Sequence, residues 1–491
     1  MNAERPFPPE LWERIPAVVQ DYICTLEARV TALETAVQRL EATVQHLMER
    51  LQQDSRTSSR PPSSDPPQAL GRRPRREPSG RRPGGQPGHE GQTRALVSLE
   101  QVDVVIPVKP ERCARCQHPL HGEDDQPQRH QVTELPPVQP IVTEYQLHRL
   151  VCPVCGETTR AELPAGVPTG GFGQRVQAIA ALCTGAYHLS KRTTQCVMED
   201  LFGVSISLGA LVSLEQATAR AVAWPVAEAR TYVQQQPAAY LDETGWREGP
   251  QRAWLWTAVT TWVTVFVVRR SRSGKVAQEL LGERFWGWLV TDRWSAYTWY
   301  PTWRRQLCWA HLVRDIEAMI ERGGPSQAIG EALRAQARQM FHWWHRVRDG
   351  TLAQASFAHY MRPIRREIER LLDVGQTCGT PKTEGTCRDI LKRRQALWTF
   401  VRHAGVEPTN NAAERAIRPG VLWRKGSFGT HSAEGSRFVE AMMTAVATLK
   451  QQHRNVLDYL TAACEAALSG EAAPSLRPTP AALEQLLHPV A

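Results

Sequence analysis

Two aspartates follow short apolar runs in the middle of the chain. Residues 238–241 and 288–291 each predict a β-strand, and Asp242 and Asp292 come directly after them. Ligands and metal ions collect at such strand ends in an open sheet, although an aspartate there is also a common turn former or helix cap. Carboxylates are ligands that Mg²⁺ accepts, and paired Mg²⁺ ions about 4 Å apart serve phosphodiester chemistry. A third acid near these two would therefore predict a metal-dependent site.

That third acid is Glu414, in the polar segment 408–419. Thr409 or Asn410 is a natural helix N-cap there, which places Glu414 about one turn into a helix. The Asn-Asn and Glu-Arg pairs around it lie between small residues and are poor core material. The segment is therefore a better candidate for a site than for packing.

An α/β region, residues 236–320, must position the two aspartates. Its patterns predict further elements in chain order, namely strands 253–257 and 263–268 as an antiparallel pair, helix 275–281, strand 306–309 and helix 310–320. Residues 323–397 are largely helical in pattern and separate this region from Glu414.

Four of the eleven cysteines form two close pairs. These are Cys113-x-x-Cys116 and Cys152-x-x-Cys155. Thiolates at i and i+3 occupy two corners of a tetrahedron, so two pairs predict a structural Zn²⁺ site with no open position. The stretch 130–151 between the pairs predicts a β-hairpin. An odd total with tight pairs suits a reducing compartment better than a disulfide framework, and chance pairing is the alternative.

Residues 20–52 carry apolar side chains at the 3-4 spacing of a coiled coil. One core position holds Ile23, Val30, Val37, Val44 and Leu51, and the other holds Leu26, Leu33, Leu40 and Leu47. β-Branched residues at the first position with leucine at the second favour a parallel dimer. The alternative is one amphipathic helix packed on its own protein.

The next segment, residues 53–95, is rich in Ser, Pro, Gly and Arg and cannot bury a core. Its basic cluster consists of Arg72, Arg73, Arg75, Arg76, Arg81 and Arg82. It is either a solvated linker or an arm that tracks DNA phosphates without sequence preference.

Residues 173–235 predict helices at 176–189, 193–202 and 208–222. A short turn with Gly203 lies between the last two, and Ser207 can cap the third helix. This pattern fits a DNA-binding helix-turn-helix, and it also fits an ordinary helical hairpin.

The whole chain has 491 residues and a net charge of +9, which favours a polyanionic partner. The N-terminal residues lack the apolar core of a signal peptide. The most apolar stretch, 253–268, is too short and too polar to span a membrane. We therefore expect no membrane partner and a cytoplasmic location, at the bacterial nucleoid if DNA is the partner.

Four motifs occur in a fixed order, and together they resemble the insertion-sequence-66 family of DDE transposases. They are Asp242-Glu243-Thr244, Thr291-Asp292 to Tyr297, Cys308-Trp309-Ala310-His311 and Asn410-Asn411-Ala412-Ala413-Glu414-Arg415. The match also covers the heptads, the basic linker, the cysteine module and the helical region. The resemblance implies an α/β fold with a ribonuclease-H-like catalytic core and a long helical insertion, preceded by a coiled coil, a zinc ribbon and a helical DNA-binding region.

The expected domain order follows from this resemblance and the patterns above. It comprises an N-terminal helix with heptads (1–52), a basic linker (53–95), a zinc ribbon (96–168), a helical DNA-binding region (169–235), the first part of the catalytic core (236–320), a helical insertion (321–400), the completion of the core with Glu414 (401–465) and a tail (466–491).

The resemblance also implies the activity, which is cleavage of the element's ends and joining of the 3′-hydroxyl to target DNA. Asp242, Asp292 and Glu414 would hold Mg²⁺ (or Mn²⁺), and Glu243 is the rival for the first position. His311 and Arg415 would contact DNA or support the site, whereas Cys308 is expected in packing.

The partners expected from the resemblance are the terminal inverted repeats, the target DNA, a second copy of the chain and accessory transposition proteins. The alternative function is a non-catalytic or domesticated DNA-binding relative that acts through the zinc ribbon and the helix-turn-helix. A junction-resolving or ribonuclease-type nuclease on the same fold fits the upstream modules less well.

Overall fold

The structure is a computed structural model that describes residues 9–52 and 95–479. Its helices are α1 (Pro9–Trp12), α2 (Ala17–Gln52), α3 (Gln174–Gly185), α4 (Lys191–Phe202), α5 (Leu208–Ala221), α6 (Ala223–Gln234), α7 (Gly274–Leu281), α8 (Trp309–Glu321), α9 (Gly324–Arg348), α10 (Gln354–Gly375), α11 (Pro381–Lys392), α12 (Thr399–Arg402), α13 (Asn411–Ser427), α14 (Ala433–Gln451) and α15 (Val456–Ser469). Its strands are β1 (Arg149–Val151), β2 (Thr158–Arg160), β3 (Ala238–Glu248), β4 (Gln251–Val259), β5 (Thr264–Arg269), β6 (Trp288–Thr291) and β7 (Arg305–Leu307).

The described residues fall into two compact units. The larger contains residues 162–194 and 208–479 together with the N-terminal helices, and the smaller contains residues 95–161 and 195–207. The arrangement is mixed α/β, and the described helices include none long and apolar enough to cross a bilayer.

A five-stranded mixed sheet forms the centre of the larger unit. The strand order is β5-β4-β3-β6-β7. Strand β4 is antiparallel to both β3 and β5, whereas β3, β6 and β7 run parallel. The antiparallel pair and the positions of all five strands agree with the sequence prediction, except that β3 continues well beyond residue 241.

Two apolar cores cover opposite faces of this sheet because successive side chains along a strand alternate between its faces. Ala239 and Leu241 of β3 pack into the first core with helices α3, α6, α14 and α15. Tyr240 packs into the second core, against α8 and the helices α9, α10 and α11. A third, smaller cluster joins Trp246 and Leu255 to α13 and α14.

The segment between α8 and α13 is helical, as the sequence predicts. Helices α9, α10 and α11 bury one apolar face each, with side chains such as Leu333, Ile364 and Ile390 almost fully covered. Their opposite faces carry Arg and Glu residues, a division typical of helices that cover a core.

The smaller unit contains the two cysteine pairs and little regular structure. Strands β1 and β2 pair in an antiparallel hairpin that encloses the second cysteine pair. The hairpin predicted at 130–151 is wrong, because residues 130–148 form no strand. Pro136, Pro137 and Pro140 lie in that stretch, and a proline cannot donate a backbone hydrogen bond to a neighbouring strand.

The long helix α2 has 36 residues and contains all of the predicted heptads. Its apolar stripe is exposed at Leu26, Val30, Leu33, Val37, Leu40 and Val44. The structure therefore confirms the helix, while its pairing with a second copy stays a prediction. The six arginines of the basic linker lie outside the described residues.

Candidate active site

The register of the sheet aligns the two aspartates. Tyr240 of β3 pairs with Val290 of β6, so the same register places Asp242 opposite Asp292. Neighbouring strands lie about 4.8 Å apart. Strand β6 ends at Thr291, which leaves this edge of β3 open at Asp242. The two carboxyls therefore share one edge of the sheet.

Asp242 lies within β3, not at its end as the sequence predicted. The strand continues to Glu248 because its polar half pairs with β4 throughout. The N–H of Glu243 donates to Asp242 Oδ1 at 2.9 Å. Burial, followed by the negative charges of Glu243, Glu414 and Asp292, raises the pKa of Asp242 well above its usual range.

Asp292 is held by the loop that follows β6. The Trp294 N–H donates to Asp292 Oδ1 at 2.9 Å. Behind it, the buried guanidinium of Arg305 donates to the Thr291 hydroxyl at 2.9 Å and to the Asp292 carbonyl at 3.1 Å. Burial and the charge of Arg393 lower the pKa of Arg305 to about 10, so it is still a cation at neutral pH.

Glu414 comes to the site in the first turn of α13. Asn410 occupies the N-cap position, but its side chain does not cap the helix. Its amide instead donates to the Leu241 carbonyl at 2.7 Å, next to Asp242, and its backbone N–H donates to Cys308 Sγ at 3.1 Å. Asn410 therefore ties α13 to the open edge of β3.

Glu243, the rival for the first position, has a pKa that is raised first by burial and also by the charge of Asp292. Alternation places it on the face of Leu241, opposite to that of Asp242. Its carboxylate accepts hydrogen bonds from the Tyr297 hydroxyl and from Arg272, the latter at 2.9 Å. Both oxygens of Glu243 thus have hydrogen-bond donors from the protein, and the choice of Asp242 as the metal ligand stays a prediction.

Cys308 and His311 lie beside Glu414. Glu414 Oε1 is 3.9 Å from Cys308 Sγ and 3.4 Å from His311 Nδ1. Among the described residues these three offer ligand atoms that all lie within 4.8 Å of one another. Burial lowers the pKa of His311, and the charge of Arg314 lowers it further, so the imidazole is predominantly neutral at neutral pH.

A family model described as Transposase IS66 family matches residues 170–438, which is more than half of the chain. The chain belongs to the IS66 transposase family. A second model, of a family of unknown function, matches residues 10–95.

A curated relative also matches part of this IS66-family chain. It is an uncharacterized protein, y4qI, of Sinorhizobium fredii, and it is 31% identical over 204 residues. The aligned region covers 38% of this chain and 36% of the relative. The match thus spans about a third of the relative's length.

The two cysteine pairs of this IS66-family chain form matching turns. The Cys113 N–H donates to the His118 carbonyl at 2.9 Å, and the Gln117 N–H donates back to Cys113 at 3.0 Å. Gln117 has a left-handed backbone with φ of 59°. Hydrogen bonds from the backbone of Cys116 and Arg115 lower the pKa of Cys113.

The second turn repeats this geometry. The Cys152 N–H donates to Glu157 at 2.8 Å, and the N–H of Gly156, with φ of 73°, donates to Cys152 at 2.9 Å. Hydrogen bonds from Cys155 and Val154 lower the pKa of Cys152. Within the described residues no three of the four sulfurs lie within 4.8 Å of one another, so the joint zinc site stays a prediction.

Arg415, which was predicted with His311 to contact DNA or support the site, is exposed directly beside Glu414. Arg418 and Lys425 are exposed on the same face of α13, at positions i+3 and i+10 from Arg415. Together they form a basic face on the helix that carries Glu414.

Three residues around the acids were missed by the sequence reasoning, namely Asn410 as a tether, Arg305 as a buried cation and Tyr297 as a hydrogen-bond donor. Tyr297 was noticed only as a motif member, and Asn410 only as a motif member and a candidate N-cap. Arg305 lies just before the strand predicted at 306–309 and is the first residue of the observed β7. No local pattern marks it, since its role depends on the neighbouring strand end.

A cavity of about 670 Å³ lies towards the other end of α13. Its lining includes His188, Glu215, Trp423 and Phe438, and the His188 and Trp423 rings stack with their centroids 4.8 Å apart. None of the three acids lines it, so its size does not bear on the choice of active site.

Proposed function

We propose that this IS66-family chain is a DNA transposase that cleaves the ends of its element and joins the resulting 3′-hydroxyl to target DNA. The observation that carries this proposal is the sheet register that sets Asp242 opposite Asp292, together with the Asn410 tether that brings Glu414 beside them. Both reaction steps are in-line displacements at phosphorus and can use one site.

The strand order supports a ribonuclease-H-like catalytic core. Three consecutive antiparallel strands, β3 to β5, are extended on the other side of β3 by the parallel strands β6 and β7. The family resemblance implies this core and a helical insertion ahead of the glutamate, and helices α9 to α11 occupy that place. The domain boundaries given above are part of the same proposal.

The three carboxylates fit a divalent cation. Mg²⁺ and Mn²⁺ prefer hard oxygen ligands, and the charges that raise the pKa of Asp242 are those a cation would neutralise. Asp242, Asp292 and Glu414 would hold Mg²⁺ (or Mn²⁺), which when bound activates the attacking oxygen and stabilises the leaving oxygen.

The protein's own residues hold these carboxylates in place. Arg305 fixes the backbone at Asp292, and Asn410 fixes α13 against β3. The exposed face with Arg415, Arg418 and Lys425 is suited to DNA phosphates beside the acids. We include the six arginines of the basic linker as further phosphate contacts.

Two accessory features complete the proposal. The matched turns around Cys113 and Cys152 direct several N–H groups at sulfur, an environment that favours thiolates, and we assign the four paired cysteines to a structural Zn²⁺. The exposed stripe of α2 is assigned to pairing with a second copy, so that each copy acts on one end of an element.

The test uses the full chain with DNA carrying the ends that flank its gene, in the presence of Mg²⁺ or Mn²⁺. Asp242→Asn, Asp292→Asn and Glu414→Gln should each lower end cleavage and strand transfer by at least about a hundredfold, because each removes a metal ligand. Binding to the same DNA, measured by gel shift, should persist.

Glu243→Gln is the matched control, since it changes a neighbouring carboxylate whose oxygens accept from Tyr297 and Arg272. It should keep cleavage within about tenfold of the unaltered chain. Full strand transfer by Asp292→Asn would overturn the assignment. Binding of the ends without cleavage by the unaltered chain would favour the non-catalytic relative.

A further inference from the structure

Cys308 lies at the start of α8 with its sulfur directed at Glu414. It occupies the N-cap position of that helix, and its sulfur accepts the Asn410 N–H at 3.1 Å. Backbone N–H groups of His311 and Ala310 are also directed at the same sulfur, where they offset a small part of the effect of burial on its pKa. A helix N-terminus and converging N–H groups stabilise a thiolate.

The Cys308 side chain is almost fully buried. Burial, and to a smaller extent the negative charge of Glu414, raise the pKa of Cys308 to about 11. A divalent cation between the sulfur and the carboxylate would favour the thiolate, because a thiol that coordinates a metal ion gives up its proton to solvent.

His311 offers a third ligand atom for a cation. Its Nδ1 is buried and has no hydrogen-bond partner within the described part of the chain. The nearest acid is Glu414, whose Oε1 lies 3.4 Å away. A buried nitrogen that is neutral and unpartnered is available to a metal ion, since histidine binds metals in its neutral form.

We propose that Cys308, His311 and Glu414 bind a thiophilic divalent cation, Zn²⁺, at a site that shares Glu414 with the magnesium site. The sulfur, nitrogen and oxygen set matches the ligands that Zn²⁺ takes, with its fourth position open, whereas Mg²⁺ takes oxygen ligands. The binding releases the Cys308 proton to solvent.

The consequence is competition for one carboxylate. Glu414 cannot orient towards Zn²⁺ at Cys308 and serve the aspartates equally well, so Zn²⁺ should inhibit DNA cleavage. This effect on activity rests on the proposed function, but the binding does not.

Binding is tested with Co²⁺ as a spectroscopic probe for Zn²⁺, on the full chain without DNA. A site with Cys308 gives thiolate-to-cobalt charge-transfer absorption, and the paired cysteines contribute their own. We expect the unaltered chain to bind one more Co²⁺ than Cys308→Ser does. His311→Gln and Glu414→Gln should weaken that additional site by at least about tenfold.

Cys387→Ser is the matched control, because Cys387 is also buried with a pKa raised to about 11 by burial and is not among the three clustered donors. It should bind Co²⁺ like the unaltered chain, and circular dichroism checks the fold of each variant. Equal stoichiometry and spectra for the unaltered chain and Cys308→Ser would overturn the proposal.

Inhibition by Zn²⁺ gives the second measurement. The Zn²⁺ concentration that halves cleavage should be at least about tenfold higher for Cys308→Ser than for Cys387→Ser. Equal values would overturn the competition. If the aspartate variants cleave normally, the proposed function fails, but the cobalt spectra still decide whether this site exists.

Discussion

The acidic side chains around the sheet edge differ in what surrounds them. Asp242 has one N–H donor from Glu243 and three neighbouring negative charges, whereas Glu243 has hydrogen bonds from Tyr297 and Arg272. The first carboxyl lacks a cation, and the second has one. Asp242 and Glu243 are thus consecutive acidic residues that differ in whether a cationic side chain contacts the carboxylate.

The raised pKa of Asp242 predicts how metal-free stability depends on pH. Folding raises this pKa, so the folded state binds more protons than the unfolded state from the ordinary aspartate pKa upward to the raised value. The free energy of unfolding should therefore fall as pH rises through that window. Asp242→Asn should reduce this fall and stabilise the metal-free chain at neutral pH by on the order of 1 kcal/mol.

Urea denaturation at a series of pH values, with and without Mg²⁺, measures this effect. Mg²⁺ should restore stability to the unaltered chain at neutral pH and do little for Asp242→Asn. The same pH dependence in both proteins would contradict the explanation. Glu243→Gln should also reduce the fall, because burial raises the pKa of Glu243 and its charge is one of those that raise the pKa of Asp242.

For single residues, the sequence could identify the three acids but not the side chains that hold them in place. Asp242, Asp292 and Glu414 were recognisable from residue type, spacing and motif order. Asn410 was not recognisable as a tether, because its partner Leu241 is 169 positions away in the chain. No local pattern records such a contact.

Elements of the larger unit follow closely from apolar periodicity. Strands β4 to β7 and helices α7 and α8 were predictable because each buries an apolar run or stripe. Strand β3 was predicted too short, since its second half, Asp242 to Glu248, is polar and reads like a turn. The pairing with β4 that extends it is a tertiary effect.

Helix α13 offers a prediction about how elements are held together. Asn410→Ala should leave the Leu241 carbonyl without its amide donor and loosen the start of α13. We expect a loss of about 1–3 kcal/mol in the free energy of unfolding, together with slower end cleavage because Glu414 is less well placed. Urea denaturation and single-turnover cleavage measure the two effects.

Asn411→Ala is the control from the next position, where the described structure gives the side chain no hydrogen bond. It should lower the free energy of unfolding by less than about 0.5 kcal/mol, like most substitutions away from such contacts. If the two variants are equally stable and equally active, Asn410 is not a tether.

For the whole molecule, the exposed apolar stripe of α2 has no partner within the described chain. A 36-residue helix would not be expected to leave such a stripe in water without a function. Sequence periodicity predicts the helix well, because the heptads are local. It cannot show the partner, since the same stripe would serve a second copy or another protein.

The expected partner is a second copy. The double variant Leu33→Lys and Leu40→Lys places two charges on the stripe and should convert a dimer into monomers at micromolar concentration. Sedimentation equilibrium measures the mass. The control, Thr31→Lys with Thr35→Lys, places the same charges outside the two core positions and should stay dimeric; a double variant on the stripe with unchanged mass would contradict the pairing.

The contacts at Cys308 and Asn410 have a further consequence for residues 309–409. The Asn410 N–H meets Cys308 Sγ at 3.1 Å, and the Trp309 N–H donates to the Pro408 carbonyl at 2.9 Å. The segment 309–409 therefore begins and ends at neighbouring positions in the structure. Loop-closure entropy grows only with the logarithm of length, by about 0.6 kcal/mol per doubling. The loops within this segment could therefore lengthen or shorten while the acids keep their places.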